Sequence, residues 1–193
     1  MATATTMVWD LEKNFATIGR QWGGLFALCD DPALFGARAE AVSAWGVDRQ
    51  VHHVGIALNG IGRGVEVLLA NPQQDAGLGP THPFAMPMLE GGTIPRGVGK
   101  APEWLHPPDA PKASETRALI QVCKVAWDAL DKKRTQIENC PATYPHFALG
   151  NFTSQQWVRF MAVHTAHHFK IIHEILDATQ NRVPFDKSLE DVN

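Results

Sequence analysis

Apolar residues recur every three or four positions along four stretches of this chain, the spacing of one helix face, and no run reads convincingly as a strand. The first stretch runs from about Thr6 to Cys29, with Val8, Leu11, Phe15, Ile18, Trp22, Leu25 and Cys29 in its stripe and a threonine ahead of it as a cap. A helical turn within Pro32–Val42 leads toward Trp45. The second stretch runs from about Val47 to Ala70, and Asp48 suits its first turn. The third begins near Ala113 or Ser114 and continues to about Asn139, with Leu119, Val122, Cys123, Ala126, Leu130 and Ile137 in its stripe. The fourth starts beyond a Thr153 cap and ends near Ala178.

These elements predict an all-α fold, a four-helix bundle forming one domain over residues 1–193. Residues 71–111 form a long crossover between the second and third helices and hold nine of the chain's thirteen prolines. Connections this long are usually functional or disordered. Phe84, Met86, Met88, Leu89, Ile94, Trp104 and Leu105 give this one the means to pack over an end of the bundle, whether to cover a site or only to wrap the fold.

The fourth helix carries the chemistry. At about 100° per residue, Phe160, Met161, Ile171, Ile172 and Ile175 fall within roughly 60° of Trp157, and His164 and His168 fall within about 20° of it. Both imidazoles therefore point toward the core, stacked one turn apart and in reach of a shared ion. His173 is expected on the opposite, polar side. His167 is expected as a solvent-exposed flank residue, with a supporting role beside the ligands as the alternative. With nine histidines in the chain, an HxxxH pair alone is weak, and a catalytic ion wants a third protein ligand and an open position.

Helical phase in the second stretch supplies that third residue. Val47, Val51, Val54, Leu58, Ile61, Val65 and Leu69 define its apolar face, and His52 lies with Asn59, Arg63 and Glu66 on the solvated side. His53 falls on a stripe of small residues, Ala57, Gly60 and Gly64, which borders the apolar face and would admit a neighbouring helix. The glycines at 55, 60, 62 and 64 each cost the helix up to about 1 kcal/mol against alanine, so a kink near Gly60 is expected as an option. GIGRG has no preceding strand and is not a nucleotide loop.

Net charge of −3 and a pI near 6.3 give no electrostatic basis for a nucleic-acid or anionic-membrane partner. No apolar run approaches the roughly 18 residues of a membrane span. Cys29, Cys123 and Cys140, odd in number and without CxxC spacing, suit a reduced, cytoplasmic protein, and the first residues carry no secretory pattern. None of the three is a strong nucleophile candidate.

Two segments carry a family resemblance: Trp45-Gly46-Val47-Asp48-Arg49-Gln50-Val51-His52-His53, and His164-Thr165-Ala166-His167-His168 preceded by His146 to Thr153 and Trp157. At these residues the chain resembles the DinB/YfiT-like putative metalloenzymes, closest to a DinB-like subgroup of unassigned function. The Pro-rich middle, Ile94-Pro95-Arg96-Gly97 through Ala101-Pro102, is also similar. The family's serine after the tryptophan is Gly46 here, which weakens the expected helix cap. The resemblance implies a four-helix bundle, often a homodimer, binding a divalent metal through His53, His164 and His168. Characterised relatives include metal-dependent transferases of low-molecular-weight thiols.

Three imidazoles suit zinc, nickel or iron and disfavour magnesium or calcium. The expected function is a metal-dependent enzyme acting on a small molecule by thiol transfer or hydrolysis. The alternative is a non-catalytic metal-binding or regulatory module. HTAHH lacks the glutamate of a zinc-protease HExxH, and no Ser-His-Asp set is legible.

Overall fold

The computed structural model describes residues 10–73, 79, 82–97, 99–180 and 186–192. Helix α1 spans Leu11–Asp30 and is capped by Asp10, whose side chain accepts from the Lys13 N–H at 2.8 Å. The expected start at Thr6 and Val8 lies outside the described residues. A single helical turn, α2, follows at Pro32–Phe35, and α3 runs unbroken over Val47–Ala70. Helix α4 spans Ala85–Gly91, and a 3₁₀ turn forms at Glu103–Leu105. Then come α5 at Ala113–Asp131, α6 at Arg134–Asn139, and α7 at Ser154–Ala178. A second 3₁₀ turn, Lys187–Glu190, follows α7.

Helix α3 packs against α7 and α5, and α1 packs against the same two helices. The apolar stripe of α3 behaves as its spacing predicts: Val47, Val51, Val54, Leu58, Ile61 and Val65 are buried. Its glycines do not break it. Gly62 serves as a close approach, since a Cβ there would sit 3.2 Å from the Trp127 indole nitrogen. That indole N–H donates to the Leu58 carbonyl at 3.3 Å. Among the described residues the small-residue stripe receives no neighbouring helix, contrary to expectation: Gly64 faces Tyr144, and beyond its own helix no described atom lies within 4 Å of a Cβ at Gly60.

Gly46 is likewise explained by space rather than by capping. No side chain caps α3, and a Cβ at Gly46 would come within 3.0 Å of the Ala37 carbonyl and closer still to Asp48. Asp48 itself is buried at the helix N-terminus and holds Arg38 at 2.5 Å, where a negative charge favours the helix dipole.

The fold is mostly helical rather than wholly so. Strands β1 (Thr143–His146) and β2 (Gly150–Thr153) pair antiparallel, Thr143 opposite Thr153 and His146 opposite Gly150. Four-residue strands with Pro145 inside one of them carry too little period-two signal to be read in advance. The three-residue loop ends at Gly150, whose φ of 90° favours glycine. Thr153 then caps α7 as expected, through a reciprocal capping box with Gln156.

Two further expectations are corrected. The third helix breaks between Asp131 and Arg134, and its buried face is Thr116, Ile120, Cys123, Trp127 and Leu130. Val122 is 65% exposed, because Trp127 on the neighbouring stripe outweighs the smaller valine and alanine positions in the core. His173 is buried rather than solvated. Its Nδ1 bonds Glu190 of the C-terminal 3₁₀ turn, a covering element that periodicity within one helix cannot register. Among the described residues no helix is long and apolar enough to cross a membrane.

The corrected phase of α5 has a direct check in chemical denaturation. Trp127→Ala is expected to lower unfolding free energy by about 3–5 kcal/mol. Val122→Lys is expected to change it by less than about 0.5 kcal/mol. Comparable effects at the two positions would contradict this packing.

Candidate metal centre

Helices α3 and α7 lie side by side, and this pairing brings His53 to His164 and His168. One ring nitrogen from each of the three lies within 4.8 Å of the other two. The rings surround a common point, with centroids 5.4 Å (53 to 164), 4.7 Å (53 to 168) and 4.6 Å (164 to 168) apart. A tetrahedral ion at about 2.1 Å holds its nitrogens about 3.4 Å apart, so modest side-chain rotation closes the set. His53 and His168 are buried, and His164 keeps some exposure where it borders a cavity.

What makes the set fit a metal is how its other nitrogens are engaged. His53 Nδ1 donates to the Leu105 carbonyl at 2.8 Å. His168 Nδ1 donates to Gln50 Oε1 at 2.6 Å, and the Gln50 amide in turn donates to Ser43 Oγ at 3.1 Å. Each of these bonds fixes the proton on Nδ1 and leaves the Nε2 lone pair free, the arrangement by which outer partners orient metal-binding imidazoles. Burial pushes the His164 and His168 rings well below the ordinary histidine pKa, with the neighbouring imidazoles adding to it. Burial also lowers His53, and its bond to Leu105 opposes that only in part. All three thus stay neutral, the form that binds metal.

The Pro-rich segment covers this site. A cavity of about 920 Å³ opens beside the three histidines and is lined from the crossover by Phe84, Met88, Ile94, Arg96, Trp104 and Leu105. Its other walls come from Trp45, from the α3 stripe at Ala57, Gly60 and Gly64, from the hairpin at Tyr144 and His146, and from Trp157 and Phe160. The small residues on α3 therefore make room for a ligand-sized space rather than for a helix.

His167 is not the exposed flank residue expected. It is half-buried, lines the cavity, and hydrogen-bonds the Ile94 backbone. Burial lowers its pKa more than that bond raises it. Glu174 pairs with Arg96. His52 is half-buried rather than fully solvated, its Nδ1 lying 2.8 Å from Thr116 Oγ1 at the α3–α5 contact. Burial pushes the thiols of Cys29 and Cys123 up to about 12 and about 11, so neither is a nucleophile.

Gln50, the Leu105 carbonyl and His146 were not singled out by sequence reasoning. Gln50 left a signal: at about 100° per residue it falls roughly 60° from Val47, a polar residue between the apolar face and His53. A backbone carbonyl some 50 residues away leaves none.

Residues 98–175 match a family model described as a protein of unknown function (DUF1569). That span holds His164, His168, Leu105 and the hairpin, and leaves His53 outside it. No curated protein and no solved structure matches the chain.

Two predictions follow from the site's hydrogen bonding and burial. Gln50→Leu should weaken zinc binding by about 10–100-fold in a competition titration against a chromophoric chelator; unchanged affinity would remove Gln50 from the site's support. His146 is lowered by burial from 6.5 to about 4, so between those values the unfolded chain binds more protons there than the folded one. The denaturation midpoint of chelator-treated protein should accordingly fall as pH drops through that window. The fall should be shallower in His146→Phe, and an equal fall in both proteins would contradict the assignment.

Proposed function

We propose that this chain is a divalent-metal-dependent enzyme in which His53, His164 and His168 hold one zinc, nickel or iron ion and act on a small molecule. The observation that carries the reading is the convergence of three imidazole nitrogens within 4.8 Å, at the edge of a cavity of about 920 Å³. A structural ion is usually enclosed by four protein ligands, whereas three beside a cavity suit a site that keeps a position open. The volume falls in the range of small-molecule sites.

When bound, the ion supplies Lewis acidity that makes a thiol or a water nucleophilic near neutral pH. The chain's own residues do the rest. Leu105 and Gln50 fix the rings of His53 and His168. Trp45, Trp157 and Phe160 exclude water and receive apolar surface. His167, beside His168 at 5.3 Å between ring centroids, is the residue placed to carry a proton to or from a bound molecule.

The resemblance to the DinB/YfiT-like metalloenzymes supports thiol transfer as the reaction, with a low-molecular-weight thiol as cosubstrate, while hydrolysis rests on activation of a bound water by the ion. The resemblance also supports a four-helix bundle that assembles as a homodimer, and three cysteines without CxxC spacing support a cytoplasmic setting. The pairings among α1, α3, α5 and α7 agree with such a bundle.

Elemental analysis after chelation and reloading tests the first layer. The wild-type chain should retain about one divalent ion per molecule, and the combined variant H53A/H164A/H168A should retain none; wild type without stoichiometric metal ends the proposal. In reloaded protein, metal-dependent consumption of bacillithiol, mycothiol or glutathione with an electrophile should be seen. Tight binding without turnover would favour a non-catalytic module.

A further inference from the structure

The sign of charge around the cavity is one-sided. Among the described residues that line it there is no aspartate or glutamate, although the chain has 20 acidic residues and a net charge of −3. Its charged lining residues are Arg96 and Lys100. Arg96 is already engaged by Glu174 and by the Val42 carbonyl at 3.0 Å, so fixed positive charge alone does not complete an anion site.

A second feature supplies what is missing. His146 lines the cavity, and its Nδ1 accepts from the backbone N–H groups of Ala148 and Leu149, each at 3.2 Å. A nitrogen that accepts two amide protons carries none of its own, so the neutral ring holds its proton on Nε2. His82 also lines the cavity and repeats the device, accepting from the Phe84 N–H at 3.2 Å. The two turns are joined, the His82 N–H donating to the Leu149 carbonyl at 3.4 Å. His146 is clamped among aromatic rings, stacked on Phe147 at 4.4 Å and edge-on to Phe160 at 5.0 Å. Its orientation is thus set by the hairpin before any ligand arrives. Burial holds its pKa down to about 4, so it serves near neutral pH as a donor and not as a base.

We propose that the cavity binds a small, largely apolar organic carboxylate, and that the Nε2–H of His146 is the hydrogen-bond donor that receives its oxygen. The aromatic wall takes the apolar body, and a described lining without carboxylates gives an organic ammonium group no counter-charge. This rests on the reading of the cavity as the substrate site, but it does not require the ion.

Isothermal titration of the full chain, zinc-loaded and chelator-treated, with 2-naphthoate, 2-naphthylmethanol and 2-naphthylmethylammonium tests it. Naphthoate should bind about tenfold or more tightly than either analogue in both preparations, as expected for a hydrogen bond to a charged group. H146N keeps an oxygen to accept the backbone amides but has no donor reaching the Nε2 position. It should lose about tenfold for naphthoate and little for the alcohol. H146Q, which carries an amide N–H to that position, should recover most of the loss. Equal or tighter binding of the ammonium or the alcohol would overturn the proposal, as would no binding of any probe or an H146N effect equal on all three. The ranking of probes by the wild-type chain does not depend on either variant folding. A preference for naphthoate that appears only with zinc would assign anion recognition to the ion, overturning this inference and leaving the metal reading intact. The preference without any zinc uptake would do the reverse.

Discussion

Two hydrogen bonds of under 3 Å govern this site: His53 Nδ1 to the Leu105 carbonyl and His168 Nδ1 to Gln50 Oε1. A neutral imidazole offers one donor and one acceptor, and engaging the donor outward directs the acceptor inward. Leu105 belongs to the Pro-rich crossover and Gln50 to the same helix as His53, so the crossover is part of the site's construction as well as its cover. Three neutral rings buried together need their polar atoms satisfied, because an unpaired polar group in that setting costs about 1–3 kcal/mol. An ion would satisfy the inward-facing lone pairs, as the Nδ1 partners of His53 and His168 satisfy the outward-facing protons of those two rings.

The same arrangement explains why the interior around the histidines is not filled. Ala57, Gly60 and Gly64 present almost no side-chain volume, and the crossover bridges the gap with Phe84, Ile94 and Trp104 rather than collapsing into it. A helix that gives up packing along one stripe loses stability there. Here α3 recovers it on its other faces, through Val47, Val51, Val54, Leu58 and Val65 and through the seat that Gly62 makes for Trp127. The fold concentrates its core on one side of α3 and its chemistry on the other.

How far the sequence alone carried this picture depended on the range of the interactions involved. The helices at Val47–Ala70 and Ser154–Ala178, the Thr153 cap and the phases of His53, His164 and His168 are local properties, and they were legible. The third stripe is legible only in part: Cys123, Leu130 and Ile137 are buried as their spacing predicts, but Trp127 and Ile120 fill the core while Val122 faces water. The periodicity of their own helices places His173, His52 and His167 toward solvent. Each is covered by an element distant in sequence: the Glu190 turn, Thr116 of α5, and Ile94 of the crossover. The four-residue strands of the β-hairpin leave too short a pattern to be legible, and the tautomer of His146 is fixed by that hairpin.

One ion held by three imidazoles, and by no thiolate or carboxylate of the chain, has a distinct signature in X-ray absorption at the zinc edge of the loaded protein. Three-histidine ligation gives a first shell of nitrogen or oxygen atoms at about 2.0–2.1 Å with outer-shell scattering from three imidazole rings. A sulfur shell at about 2.3 Å, or scattering from fewer than three rings, would contradict it.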